Sequence, residues 1–404
     1  MITLRFVYSK ISLMMLLLAS STISLAADKP EKYQLTYCGT TFELRITKLD
    51  PQAADALNPE SLDQTIGNIQ AEAVTTIDDL KKIQQKYWLC DWAYFKLISQ
   101  LADELYGKTN LSLLYSYTLL SMSDFDCRLA TTASEGATTA SDSLRLMPAI
   151  DATLYDRIYY RGGDHKYYPS NNYTERLFTY KPSLRGTKAM NLSLTDLPLF
   201  TQSASDKRTV KSEKYPEMTA TFTVNRNLVD FLGTYPPAQT SDEFGSRWAL
   251  LANTPLSEDL REQLYPQLQR CLKKCKTDAE RVERLLNWIL TGFTIASDED
   301  VWGADRAFFS EETLFYPGSD AEDRAILFTR LVRDLVGLPC ALIYYPGHLA
   351  AAVQFKETIE GKTYTAPDGS TYIVCDPTYA NATIGIEMPV ESIEDFDVKL
   401  IPLK

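Results

Sequence analysis

Three short stretches carry residues whose types and order could support covalent chemistry. Residues 318–325 read GSDAEDRA, residues 347–353 read GHLAAAV and residues 374–379 read VCDPTY. The first has the form of a helix start. Ser319 or Asp320 can cap it, and Asp320, Glu322 and Asp323 crowd its first turn, where the backbone dipole favours anions. The second places His348 at the start of a strand after a Pro346-Gly347 turn. The third places Asp376 at the end of a strand that Pro377 stops. A helix amino terminus lowers the pKa of a thiol, an imidazole takes its proton, and a carboxylate fixes the imidazole's tautomer; together they perform acyl transfer through a thioester. The position where the thiol would sit, Ala321, holds a methyl group.

With these residues in view, roughly residues 280–385 resemble the transglutaminase-like superfamily, which has a papain-like fold and an ordered Cys, His, Asp triad. In its bacterial secreted branch the helix motif reads Asp-Cys-Glu-Asp-Arg-Ala, and here the stretch is Asp320-Ala321-Glu322-Asp323-Arg324-Ala325. The resemblance implies that His348 and Asp376 are the retained triad members and that Ala321 stands at the nucleophile position. A methyl group forms no thioester, so the resemblance implies an exported, inactive relative that binds a peptide, a protein or a peptidoglycan stem peptide. The alternative is an active cysteine amidase, protease or acyltransferase whose thiol is replaced in this sequence. A third reading is a structural protein that uses the domain as a scaffold. No metal and no cofactor is expected.

Substitute nucleophiles are few. Ser319 is better placed as a helix cap, and Cys340 and Cys375 lie in apolar strand contexts, where cysteine acts as a small buried hydrophobe. Trp302, in DEDVWGADRAFF, is a candidate to line the groove or donate its indole N–H, and Tyr316, in LFYPGSD, faces the same choice between substrate contact and packing.

These residues need a scaffold. Ala325, Phe328, Leu331, Val332 and Leu335 form an apolar stripe at helical spacing, and Gly337 and Pro339 end the helix. Two strands follow about Pro346-Gly347, then another after a turn at Pro367 to Gly369. Upstream, TDAERVERLLNWIL reads as a supporting helix, with Thr277 as N-cap and Glu280 completing a capping box. The expected class is α+β, with a helix packed on an antiparallel sheet in the carboxyl-terminal domain.

The rest divides into 1–26 as a signal peptide, 27–166 as an α+β domain, 167–238 as a β-rich region and 239–404 as the transglutaminase-like domain. The stretch YQLTYCGTTFELRITKL reads as a short strand, and Leu62 to Tyr106 as helical. After a helix, a strand and the small-residue loop ATTASEGATTASDS, more strands turn at Gly162-Gly163. This element order is also that expected of the carboxyl-terminal domain, so the first domain could be a degenerate duplicate. The segment TYPPAQTSDEFGS is the expected linker, and EMTATFTVNRNLVDFLGTYP alternates like strands.

Arg5 and Lys10 precede an apolar run ending in small residues at Ala26, the layout of a secretory signal. That run is shorter than the roughly 20 residues of a membrane span. A periplasmic or secreted protein with no later span is expected. The chain has 41 basic and 53 acidic residues, a net charge of −12, which disfavours nucleic acid as a partner. Seven cysteines, an odd number scattered along the chain, do not suggest a disulfide framework. Cys271 and Cys275, on one helical face, read as packing or a local disulfide, because two histidines in the whole chain leave a zinc site without ligands.

Overall fold

The computed structural model describes residues 29–50, 58–132, 144–155, 157–170, 177–239, 245–389 and 398–404. The expected signal peptide and the core of the small-residue loop (133–143) lie outside these residues, as does part of the expected linker (240–244). The fold is mixed α+β with two five-stranded antiparallel sheets.

The first sequence-read strand is a hairpin, β1 (Glu31–Tyr37) and β2 (Thr40–Ile46). Its turn holds Cys38 and Gly39 at positive φ, which a sequence without a Gly-Asn or Asn-Gly pair signals weakly. The helical stretch that follows is three helices: α1 (Pro59–Glu72), α2 (Val74–Lys86) and α3 (Asp91–Tyr106). Ala73 caps α1 through its own amide, and Trp88, at φ 52°, turns the chain before Cys90 caps α3. Next come α4 (Asn110–Met122), β3 (Cys127–Thr132), β4 (Leu144–Ile150), β5 (Thr153–Leu154), β6 (Tyr160–Gly162), β7 (His165–Tyr167) and β8 (Leu177–Tyr180). The turn from β6 into β7 is made by Gly163 and Asp164, one residue later than the expected Gly162-Gly163, because Gly162 pairs with His165, and the sheet order is β6-β7-β4-β3-β8. This sheet therefore continues past residue 166.

The middle of the chain is less β-rich than its alternation suggests. It contains the hairpin β9 (Arg208–Lys211) and β10 (Thr219–Phe222), the helix α5 (Arg226–Leu232), and β11 (Ala238–Gln239), which pairs with β5. The stretch RNLVDFL was read as part of a strand. It is a helix because Asn225 caps it and Leu228, Val229, Phe231 and Leu232 bury one face at helical spacing.

The remainder runs α6 (Ser246–Asn253), α7 (Glu258–Leu272), α8 (Asp278–Gly292), β12 (Thr294–Ile295), α9 (Asp298–Trp302), α10 (Ser310–Phe315), β13 (Gly318–Ser319) and α11 (Ala321–Leu335). It then forms the second sheet from β14 (Cys340–Tyr345), β15 (His348–Val353), β16 (Thr363–Thr365), β17 (Thr371–Cys375) and β18 (Lys399–Pro402). Thr277 caps α8 as expected, but Glu280 takes its reciprocal hydrogen bond from Lys276, one residue earlier than a capping box requires. Gly347, at φ 84°, makes the tight turn that places Tyr345 opposite His348.

The second sheet is buried on both faces. Leu342, Leu349, Ala351 and Val353 pack with the α11 stripe Ala325, Phe328, Leu331 and Val332, while Ala341, Ile343, Ala350 and Ala352 form a separate cluster on the other face. No helix among the described residues is long and apolar enough to cross a membrane. All seven cysteines are free thiols. Cys271 and Cys275 form no disulfide: their sulfurs donate to the carbonyls of Glu217 and Cys271.

Candidate functional site

Of the residues singled out from sequence, His348 and Asp376 meet. The imidazole Nε2 lies 2.8 Å from Asp376 Oδ2, at the point where β15 begins and β17 ends. The second carboxylate oxygen accepts from the backbone N–H of Thr378 at 2.9 Å and from its hydroxyl at 2.6 Å, an Asx turn across Pro377. Burial opposes the ionisation of Asp376, but these donors and the His348 ring outweigh it and hold its pKa below the ordinary range. An ionised Asp376 fixes the proton of His348 on Nε2 and leaves Nδ1 as the acceptor. The ring is stacked on Tyr345, and strand alternation assigns it to the sheet face of Ala350 and Ala352.

Ala321 is the first residue of α11. Asp320 is the N-cap, in a reciprocal box with Asp323: the Asp323 amide donates to the Asp320 carboxylate, and the Asp320 amide to the Asp323 carboxylate. Ser319 is not the cap. It is buried in β13, and its hydroxyl accepts from Arg324 Nε at 3.2 Å. The other thiols are poor nucleophiles. Burial pushes Cys340 up to about 12 and raises Cys375 well above the ordinary thiol value. Cys90 does sit at a helix start, with its sulfur accepting from Ala93 N–H, but burial raises its pKa. Both histidines of the chain are engaged elsewhere, His348 with Asp376 and His165 with Asp126.

Trp302 ends α9 with its indole 37 % exposed, resting edge-on against Tyr316 at 5.0 Å and against Phe308. The Arg306 guanidinium lies 4.3 Å from the Trp302 ring centre. Trp302 lines a cavity of about 370 Å³ with Arg247, Asp305, Arg306 and the Pro236-Pro237 pair. Tyr316 supports the tryptophan from behind, and burial raises its pKa.

The acidic residues around the start of α11 form a feature that sequence reasoning missed. Asp298, Asp320 and Glu322 bring carboxylate oxygens within 4.8 Å of one another, a spacing that could hold an oxygen-liganded cation. Burial, with the neighbouring carboxylates, raises Asp320 to about 6 and Glu322 to about 8, and raises Asp298 as well. Glu322 Oε1 is buried without a hydrogen-bond partner. At neutral pH this cluster therefore retains a proton. Its sequence signal is split between DEDVW and SDAED, and only folding joins them.

A second His–Asp pair was also missed. His165 Nδ1 lies 2.8 Å from Asp126 Oδ2, which also accepts from the Tyr167 hydroxyl at 2.6 Å. It occupies the opposite end of its sheet, where β3 and β7 begin. Comparison with protein-family models, with curated proteins and with solved structures finds no match for this chain.

Proposed function

We propose that this is an exported, transglutaminase-like protein that has lost its nucleophile and holds a peptide, protein or peptidoglycan stem peptide at the His348–Asp376 pair. The observation that carries this reading is the oriented imidazole. Asp376, itself held by two donors from Thr378, fixes the ring with Nδ1 available, as a thiol-activating base requires. The start of α11 has the form that a thiolate needs, a capped helix terminus packed on β15, and its first side chain is a methyl.

The first half of the chain has a comparable helix-on-strand arrangement. There α4 packs on β4 as α11 packs on β15. Its first residue, Asn110, reaches the start of β4, accepting from the Leu144 amide at 3.0 Å. In the second sheet the corresponding strand start is His348–Leu349, where α11 packs on the face of Leu349, Ala351 and Val353 and the His348 ring belongs to the opposite face. The proton-retaining acidic cluster beside Ala321 favours a neutral or cationic group on the ligand.

The test is Ala321→Cys. At neutral pH the introduced thiol is expected to react with iodoacetamide at least about tenfold faster than the seven natural ones, with the enhancement lost in the A321C/H348A double variant. The parent chain is expected to show no peptide hydrolysis and no amine incorporation. Equal turnover by the parent and A321C overturns the inactive reading, and an introduced thiol as slow as the others overturns the triad geometry.

A further inference from the structure

Trp88 combines a strained backbone with an exposed ring. It follows the end of α2 at φ 52°, and 54 % of its surface is exposed. The Leu89 amide donates to the Gln84 carbonyl at 3.0 Å and the Tyr87 amide to that of Ile83, the Schellman closure of a helix. In that closure the left-handed position belongs to glycine, or to a short polar residue of the kind that takes positive φ elsewhere in this chain at Asp124 and Asn381. Tryptophan is the bulkiest residue that can stand there. Its indole makes no hydrogen bond and no ring contact among the described residues, so packing does not account for it. A strained residue that the fold does not need points to a use outside the fold.

Trp88 lines a groove of about 710 Å³, within the size range of ligand sites. The amides of Gln84, Gln85 and Asn191 and the hydroxyl of Ser193 line it as well. The side chains of Gln84 and Gln85, the Asn191 amide nitrogen and the Ser193 hydroxyl have no hydrogen-bond partner among the described residues, which leaves both donors and acceptors free. The walls are fixed to each other: the Asn191 amide donates to Asp91 at 3.0 Å, and the Leu199 amide to the Tyr87 carbonyl at 2.9 Å. Lys188 lies 3.3 Å from Asp91, so these two charges offset each other, and Asp196 gives the groove a net negative charge.

We propose that this groove binds a neutral oligosaccharide of equatorially substituted pyranoses, stacked on Trp88. One face of such a sugar ring presents C–H groups, whose partial positive charge meets the negative face of the indole. The hydroxyls at its edge meet amides that both donate and accept. Charge and lining select against other ligands. The remaining carboxylate repels acidic glycans and phosphate polymers. A protein partner would bury a tryptophan within an apolar surround, but here the ring is flanked by amides and a hydroxyl, and the exposed Leu199 lies outside the lining. The site is independent of the reading given to His348 and Asp376.

The experiment is calorimetric titration of the full chain with cellohexaose and with chitohexaose, at about 0.05 M and about 0.5 M salt. The expected result is saturable binding of at least one of them, with an affinity that salt does not change because the ligand is neutral. Preference for chitohexaose shows that the amides read its acetamido groups, and equal or better binding of cellohexaose shows that the ring face and hydroxyls suffice. Trp88→Gly is expected to weaken binding at least about tenfold while the urea midpoint stays the same or rises, since glycine relieves the left-handed residue. Trp88→Phe keeps a flat ring and is expected to retain affinity within about fivefold. Val74→Ala, at an exposed apolar residue on the other end of α2, leaves binding unchanged. The proposal is overturned if neither hexasaccharide binds saturably, if W88G binds as the parent does, or if W88G unfolds at lower urea, which makes the ring a packing element. Affinity that falls with salt overturns the neutral saccharide in favour of a charged ligand.

Discussion

Replacing Glu322 by Gln is expected to stabilise the protein by about 2–4 kcal/mol at pH 8 and to leave it nearly unchanged at pH 5. Burial, then the charges of Asp320 and Asp305, raises Glu322 from its ordinary 4.5 to about 8, and Arg247 offsets only part of this. A carboxyl group whose folded pKa lies above its unfolded value binds its proton more tightly in the folded state. Its contribution is therefore complete below about 4.5 and is lost as pH rises through about 8. The full linkage would be larger than the range given, but solvent reaches part of the group and Asp320, at about 6, shares the proton, so the smaller figure is the appropriate one. Gln keeps the shape and can donate its amide to Asp298 or Asp320 while carrying no charge. Urea unfolding at half-unit steps from pH 5 to pH 8 measures the effect. The parent midpoint should fall across this window and the variant midpoint should fall much less. Parallel curves for the two proteins would remove the buried-acid account of this cluster.

Much of the second half was legible because local signals agreed there. The α11 stripe, the stop at Gly337, the Pro346-Gly347 turn and the Asp-Pro strand end each specify one backbone state, and all four occur where the residues point. His348 and Asp376 are brought together by strand pairing, and the alternation and the turn that determine that pairing are both local features. What was not legible depends on distant contacts. The stretch RNLVDFL fits a strand or a helix by pattern over so short a window; the Asn225 cap and the burial of Val229 and Phe231 decide it. The acidic cluster draws on α9 and α11, and no spacing rule joins a pair of helices separated by α10. The groove beside Trp88 is assembled from the end of α2, the start of α3 and residues 188–196, and its tryptophan falls in a stretch that reads in sequence as continuous helix. For RNLVDFL the element type itself was not readable, and for the cluster and the groove the partners were not.

Arg324→Met is expected to cost about 3–5 kcal/mol, the largest stability loss among the predictions made for this chain. Arg324 is fully buried on α11, yet it faces the end of α8. Its guanidinium donates to the Phe293 carbonyl at 2.7 Å, to the Leu290 carbonyl at 3.5 Å and to the Ser319 hydroxyl at 3.2 Å. The last carbonyls of a helix have no partner within it and carry the negative end of its dipole, so a buried cation there satisfies acceptors that would otherwise be orphaned. Burial lowers the pKa of Arg324, while Asp323 and Asp320 support its charge. Met fills a similar volume but leaves two carbonyls and a hydroxyl without donors, and Asp320 and Asp323 without a nearby cation. Lys is expected to recover only part of the loss, because one ammonium on a flexible stem cannot reproduce a planar fork directed at three acceptors. Trp288 is buried on α8 and edge-on to Phe293, next to the carbonyls that Arg324 holds. Urea unfolding followed by tryptophan fluorescence, to which Trp288 and the four other tryptophans contribute, should give the order parent, R324K, R324M from most to least stable. A methionine variant within about 0.5 kcal/mol of the parent would show that the guanidinium does not hold α8 to the start of α11, and the positioning of Ala321 would then need another cause.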